Sequence, residues 1–338
     1  MVRRTSPNFR QRRLGTLRSV SEIPINRPPK RRGTAGADPP SRKLGSTITS
    51  ESATIRPESR KSVGGASPLI PSAARVLMDG MLLTHHPAPP LASYVEALWY
   101  YDGYQTAHHK ERVLPNGRFQ IVIDLAAGPG AVSGMRSQYI VIDTAAIETV
   151  MGVVFRPGGA RGFFDVPADD FYNQVVPLGL AWGPRVTQLR DRLREVVAVG
   201  EKFRVLETAL IQAMQRAGEK RLALHPSVEY ALVKFRRVSH IRSVIGVTRE
   251  AGLSRRRFSQ LFREQVGITP KLYCRLHRFR KVVRQIASGG PVDWADVALA
   301  GGYCDQAHLA HEFREFSGMS PTSYLAAERP FLNHVRMD

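Results

Sequence analysis

Two short runs near the C-terminal end of this 338-residue chain carry the side chains best suited to recognition chemistry. In the first, Ser254 precedes Arg255, Arg256 and Arg257, with Ser259, Gln260 and Arg263 beyond. In the second, Asp305 precedes Gln306, Ala307 and His308, with Ala310, His311 and Arg314 beyond. Arginine forks onto O6 and N7 of guanine or onto a phosphate, glutamine pairs with N6 and N7 of adenine, and alanine touches a thymine methyl. Three consecutive cations at a helix N-terminus oppose the macrodipole, which prefers anions there. Their placement makes sense against a polyanion.

Other chemistry is poorly provided for. His85-His86 and His108-His109 are adjacent pairs, and adjacent residues on a strand point to opposite faces. His308, His311 and Glu312 do not follow the His-Glu-x-x-His order of a helical zinc site. The glycines from Gly128 to Gly134 do not open a helix as a dinucleotide loop would, and no Gly-x-Ser-x-Gly or P-loop occurs. Cys274 and Cys304 are the only cysteines, too few for a disulfide framework or a four-cysteine zinc site. The expectation is a protein without enzymatic activity, cofactor or metal.

The elements that must position the two runs repeat. At an offset of 51 residues, Phe262-Arg263-Glu264 recurs as Phe313-Arg314-Glu315, Gly267 as Gly318, Pro270 as Pro321 and Tyr273 as Tyr324. Each copy has a helix–turn–helix outline. In the first, a short helix from Val244 breaks around Ala251-Gly252-Leu253, and Ser254 caps a second helix that buries Phe258, Leu261 and Phe262 and stops at Gly267. In the second, Asp293 caps a helix through Trp294, Val297 and Ala298. The turn falls at Gly301-Gly302, and Asp305 caps a helix with Leu309, Phe313 and Phe316 inside. Between the copies, Thr269-Pro270 opens a helix to about Ala287 with Leu272, Leu276, Phe279, Val283 and Ile286 on one stripe. Arg275, Arg278, Arg280, Lys281 and Arg284 lie off that stripe.

The net charge of +20 is unevenly spread. Residues 1–75 carry net +12, residues 76–224 are neutral, and residues 225–338 carry net +8. The first stretch is rich in Arg, Pro, Ser and Gly and reads as a disordered basic tail, with order expected from about Leu91. Strand patterns then follow through Tyr94–Tyr101, Phe119–Leu125, Gln138–Ile142 and Val150–Phe155, with a hairpin-like Asn116-Gly117 turn. This predicts a small β-barrel or sandwich. Two amphipathic helices close the block, one through Val186, Leu189 and Leu193, the next from about Lys202 to Arg216. Barrels of this kind often enclose ligands, and Trp99, Tyr100, Tyr101, Arg118 and Arg156 are the candidate pocket residues. From Pro226 onward every segment reads as helix. No apolar run is long enough to span a membrane.

The stretch from Ser243 to Leu325 resembles the AraC/XylS family of bacterial transcription regulators. The resemblance is carried by Gly302-Tyr303-Cys304-Asp305-Gln306-Ala307-His308-Leu309 through Phe313-Arg314, Gly318 and Pro321. It implies two helix–turn–helix units joined by a helix on promoter DNA, with Arg256, Ser259, Gln260, Gln306, Ala307, Ala310 and His311 toward the bases. Val283 departs from the small alanine usual in that linker helix. The block from Pro89 to Asp191 resembles a cupin-like N-terminal domain of some members, through Leu114-Pro115-Asn116-Gly117 and Phe155-Arg156-Pro157-Gly158-Gly159. The expected fold class is therefore α+β and multidomain: a tail over 1–78, a β-rich cupin-like sensor or dimerisation domain over 79–222, and an all-α double helix–turn–helix domain over 225–338. Expected contacts with DNA are Arg255, Arg256, Arg257, Ser259, Gln260, Gln306, Ala307, Ala310, His311 and Arg314. The expected partners are double-stranded promoter DNA, RNA polymerase, a small-molecule effector and a second copy of the chain, in the cytoplasm and away from membranes. Two rivals remain: a sequence-indifferent nucleoid-type protein, favoured by the charge, and a metal-dependent enzyme built on the barrel.

Overall fold

The computed structural model describes residues 73–77, 80–103, 108–126, 128, 130–144, 148–237, 244–250 and 252–337. The expected tail lies outside them, apart from a first strand β1 (Ala73–Leu77). Strands β2 (Gly80–His85), β3 (Val95–Asp102), β4 (Lys110–Val113), β5 (Gln120–Asp124), β6 (Ala131–Ser133), β7 (Ile140–Asp143), β8 (Thr149–Phe155) and β9 (Val175–Pro177) follow. Order thus begins before Leu91. One antiparallel sheet runs β1-β2-β3-β8-β5-β6-β9. A second, three-stranded one pairs β4 with β7 on one side and with β10 (His334–Met337) on the other.

Alternation along the strands divides the large sheet into two faces. Leu98, Tyr100, Ile121, Ile123, Met151 and Val153 form one, packed in a single core with the helices α2 (Arg185–Glu195) and α3 (Val199–Ala217) through Leu189, Leu193, Phe203, Leu206 and Leu210. Phe119, Phe155, Phe164 and Phe171 pack in the same core, with ring centroids 5.1–6.3 Å apart. Trp99, Tyr101, Val122 and Val150 occupy the opposite face with Phe331. Gly152 must be glycine there, because a Cβ would sit 2.2 Å from the Trp99 ring. Helix α1 (Leu178–Trp182) leads into α2. Helix α2 ends where the buried Lys202 donates to the carbonyls of Leu193 and Val196, a cation placed on the negative end of the helix.

The Asn116-Gly117 pair does not close a hairpin. The strands on either side belong to different sheets, so the chain crosses from one to the other there. Gly117 takes φ 61° and lies against Arg280, while Asn116 Oδ1 accepts the amide of Arg118 at 3.0 Å. The left-handed turn expected of the pair forms, but its use is to pass beneath a helix.

After the short α4 (Glu219–Leu222), the C-terminal part comprises α5 (Pro226–Arg237), α6 (Val244–Glu250), α7 (Arg255–Val266), α8 (Pro270–Ala287), α9 (Trp294–Gly301), α10 (Gln306–Ser317) and α11 (Pro321–Ala326). Its core takes in Leu114 and Met135 from the β-rich part. The chain then returns as β10 to the sheet of β4, an exception to the all-helical reading after Pro226. Glu111, fully buried, accepts from both sides at this joint: His108 Nε2 lies 2.8 Å from one oxygen and His334 Nδ1 2.7 Å from the other.

Candidate nucleic-acid interface

The repeated caps form as the sequence requires. Ser254 Oγ accepts the amide of Arg257 at 3.3 Å and Asp305 Oδ1 that of His308 at 2.7 Å. Both second helices end at glycines with positive φ, Gly267 at 98° and Gly318 at 71°. Each Cap–Pro start also recurs: Thr269 accepts from Leu272 at 3.3 Å and Ser320 from Ser323 at 3.0 Å. Tyr273 and Tyr324 are buried alike.

With their apolar sides sealed, α7 and α10 turn polar faces outward. Arg255, Arg256, Arg257 and Gln260 are exposed on α7 and Ser259 is half-buried. Gln306, Ala307, His311 and Arg314 are exposed on α10 and Ala310 is half-buried. Three members of the outlined faces are otherwise engaged, Gln260 through a 2.8 Å hydrogen bond from its Nε2 to Glu264 on the same helix. The His308 ring turns back on its own turn, edge-on to Tyr303 at 5.2 Å and 3.4 Å from the Cys304 amide. Arg263 leaves the helix face for Asp169 of the β-rich part, at 2.7 Å.

The connecting helix α8 is clamped rather than loosely solvated. Arg275 Nε lies 2.7 Å and Arg278 Nη2 3.1 Å from one oxygen of Glu312 on α10, whose side chain is 4% exposed. Arg275 also pairs with Glu315. Lys281 donates to the carbonyl of Ala300 at 2.6 Å, and burial pulls the Arg280 guanidinium down to about 9. Arg284 stays exposed. The sequence analysis weighs Glu312 only beside His308 and His311, although a signal for its buried role exists: at the 51-residue offset it aligns with the buried Leu261. A carboxylate in a core position requires cations, and Arg275 and Arg278 stand three apart on the connecting helix α8.

Residues 247–327 match the family described as a helix-turn-helix domain, and residues 83–177 match a domain of unknown function, DUF6597. The chain thus carries an AraC-type helix–turn–helix domain behind an N-terminal DUF6597 domain. An AraC-type domain of this kind makes it a DNA-binding transcription regulator. No curated protein matches the chain. Among solved structures, ToxT from Vibrio cholerae O395 matches at 8% identity over 68% of this chain and 95% of that one, with a TM-score of 0.37. ToxT bound to (E)-4-(8-methylnaphthalen-1-yl)but-3-enoic acid matches at 9% identity over 72% and 98%, with a TM-score of 0.38. Unsaturated fatty acid bound wild-type ToxT from strain SCE256 matches at 10% identity over 64% and 87%, with a TM-score of 0.32.

The candidate ligand residues are not gathered in one place. Trp99 and Tyr101 share the outer face of β3, where Phe331 meets Tyr101 edge-on at 5.9 Å, whereas Tyr100 lies in the inner core. Arg118 holds Glu96 with both oxygens, at 2.6 and 2.9 Å. Arg156 donates to the carbonyl of Ala92 at 2.7 Å. The histidine pairs also separate: His85 meets Glu207 at 3.0 Å and His86 the carbonyl of Glu96 at 2.9 Å, while His108 is buried and His109 exposed. No group of three or more His, Cys, Asp or Glu among the described residues is arranged to hold a metal ion, and none of their helices is long and apolar enough to cross a membrane.

Proposed function

We propose that the chain reads a bipartite promoter site, with α7 and α10 in two successive major grooves on one face of the duplex. The observation that carries this reading is the pair of capped helices whose exposed faces hold Arg256 and Gln260 in one case and Gln306 and His311 in the other. Helix α8, 18 residues or about 27 Å long, is braced by Glu312 and can hold them near the ~34 Å repeat of a duplex turn. On this reading residues 225–338 are the reading domain and residues 79–222 sense a small molecule or dimerise, in the cytoplasm and beside RNA polymerase. The Arg263–Asp169 pair supports coupling, since a ligand that favours one arrangement of the β-rich part bears on α7 itself.

The test is selection of binding sites from random duplex DNA by the whole chain at about physiological salt. Two enriched blocks roughly 10 bp apart, centre to centre, are expected. Absence of enrichment, with affinity falling steeply as salt rises, would assign the binding to charge and leave a nucleoid-type protein.

A further inference from the structure

Helices α2 and α3 do not close on each other along their whole length. Ala209, Ala213 and Ala217 fall on one face of α3 at four-residue spacing, and their methyl groups leave a cleft of about 420 Å³ facing α2. Its apolar lining includes Leu189 of α2, the buried Phe163 and the half-buried Trp182. The indole is fixed: its N–H donates to the carbonyl of Phe163 at 2.9 Å, and its ring stacks on Phe164 at 6.2 Å between centroids. The volume suits a compact aromatic molecule, since small-molecule sites run from about 300 to 1,000 Å³.

The rim is cationic beyond what the fold uses. Arg221 is balanced by Asp165 at 2.7 Å. Arg185, Arg192 and Arg216 line the same cleft and form no ion pair or hydrogen bond among the described residues. Arg192 and Arg216 sit in last turns, where the macrodipole favours a cation, but Arg185 opens α2, where it does not. Guanidinium groups around an apolar floor complement a flat body with one oxyanion head. We propose that this cleft binds a small aromatic carboxylate, its ring against Trp182 and the alanine face of α3 and its head among Arg185, Arg192 and Arg216. The binding stands by itself; its regulatory meaning rests on the effector reading above.

The whole chain is titrated with the fluorescent probe 8-anilino-1-naphthalenesulfonate, and biphenyl-4-carboxylate is used to displace it. Displacement is expected, with neutral biphenyl-4-methanol at least about tenfold weaker and with Arg185→Gln and Arg216→Gln each weakening the acid about tenfold. Ala213→Trp, which fills the cleft, should abolish binding. If that variant does not fold, the two exposed arginine variants decide. The proposal is overturned if the probe does not bind, if both arginine variants bind the acid unchanged, or if the alcohol, inorganic phosphate or duplex DNA displaces the probe as well as the acid does. Affinity for the selected DNA site is then measured with and without the acid. A change supports the effector reading; binding without a change removes that reading and leaves the site standing.

Discussion

Gln306 is the first residue of α10 and stands exposed beside Ala307, with its backbone fixed by the Asp305 cap and its helix fixed through Glu312. An amide held on such a support can pair with one base edge. Gln306→Ala is expected to cost about 1–3 kcal/mol at the selected site and little on random duplex. Titrations on both DNAs check this, and equal losses would reassign Gln306 to a phosphate. The two thiols make a second prediction at this scale. Cys304 is exposed, whereas burial pushes the Cys274 thiol up to about 12. Iodoacetamide at about pH 8 should label Cys304 alone in the folded protein and both after denaturation, because the thiolate is the nucleophile. Labelling of Cys274 at an equal rate would show α8 to be looser than described.

At the scale of elements, α8 is the strut, and its charges bear on its stability. His277 is pulled below its ordinary 6.5 by burial and by Arg280, Arg284, Arg118 and Lys281. The folded state therefore binds this proton less readily than the unfolded one. Stability is complete above the ordinary value, falls as pH drops below it, and levels off below the depressed one. Denaturant melts from about pH 7 to about pH 5 should show this loss, and His277→Gln should flatten it; an unchanged slope would place the acid sensitivity elsewhere.

Much of this region was legible beforehand because the decisive signals are local. A cap, an apolar stripe and a terminal glycine lie within about four helical turns of one another, so Ser254 to Gly267 and Asp305 to Gly318 could be outlined residue by residue. The β-rich part was readable for the same reason where strands alternate, as in Phe119–Leu125. Glu312 was harder, since its partners lie 34 and 37 residues back on another helix. The cleft between α2 and α3 was harder still: Arg185 and Arg192 look like an ordinary solvated face until three alanines are brought opposite them. Asn116-Gly117 announced a turn correctly, but two residues cannot state which sheet the chain enters next.

The whole molecule is held by contacts between its β-rich and helical parts. Arg112 lies over the Tyr139 ring at 4.5 Å and donates to the carbonyl of Ser317 at 3.3 Å, and the Tyr139 amide donates to that of Phe316 at 3.0 Å. Gly318 passes so close to Tyr139 that a Cβ would sit 2.2 Å from the ring. Among these contacts is Glu111, a carboxylate with no exposed surface whose oxygens lie 2.8 Å from His108 Nε2 and 2.7 Å from His334 Nδ1. His334→Ala removes one donor, and losing a hydrogen bond to a buried charged group costs about 1.5–3 kcal/mol. Thermal unfolding should show that loss, and an unchanged melting point would mean that water replaces the imidazole.

The joint at β10 has a consequence for how the protein is made. His334 and Glu111 are 223 residues apart, so β4 emerges from the ribosome long before its second neighbour has been translated. At about 5–20 residues per second the interval is roughly 10–45 s, during which one side of β4 is an open edge. The nascent β-rich part must wait in this incomplete state while both reading helices are synthesised. A ribosome that stops after α11 would release a chain without β10 and with Glu111 lacking the His334 donor, so the cell's proteases are offered a physical difference between chains with and without this strand.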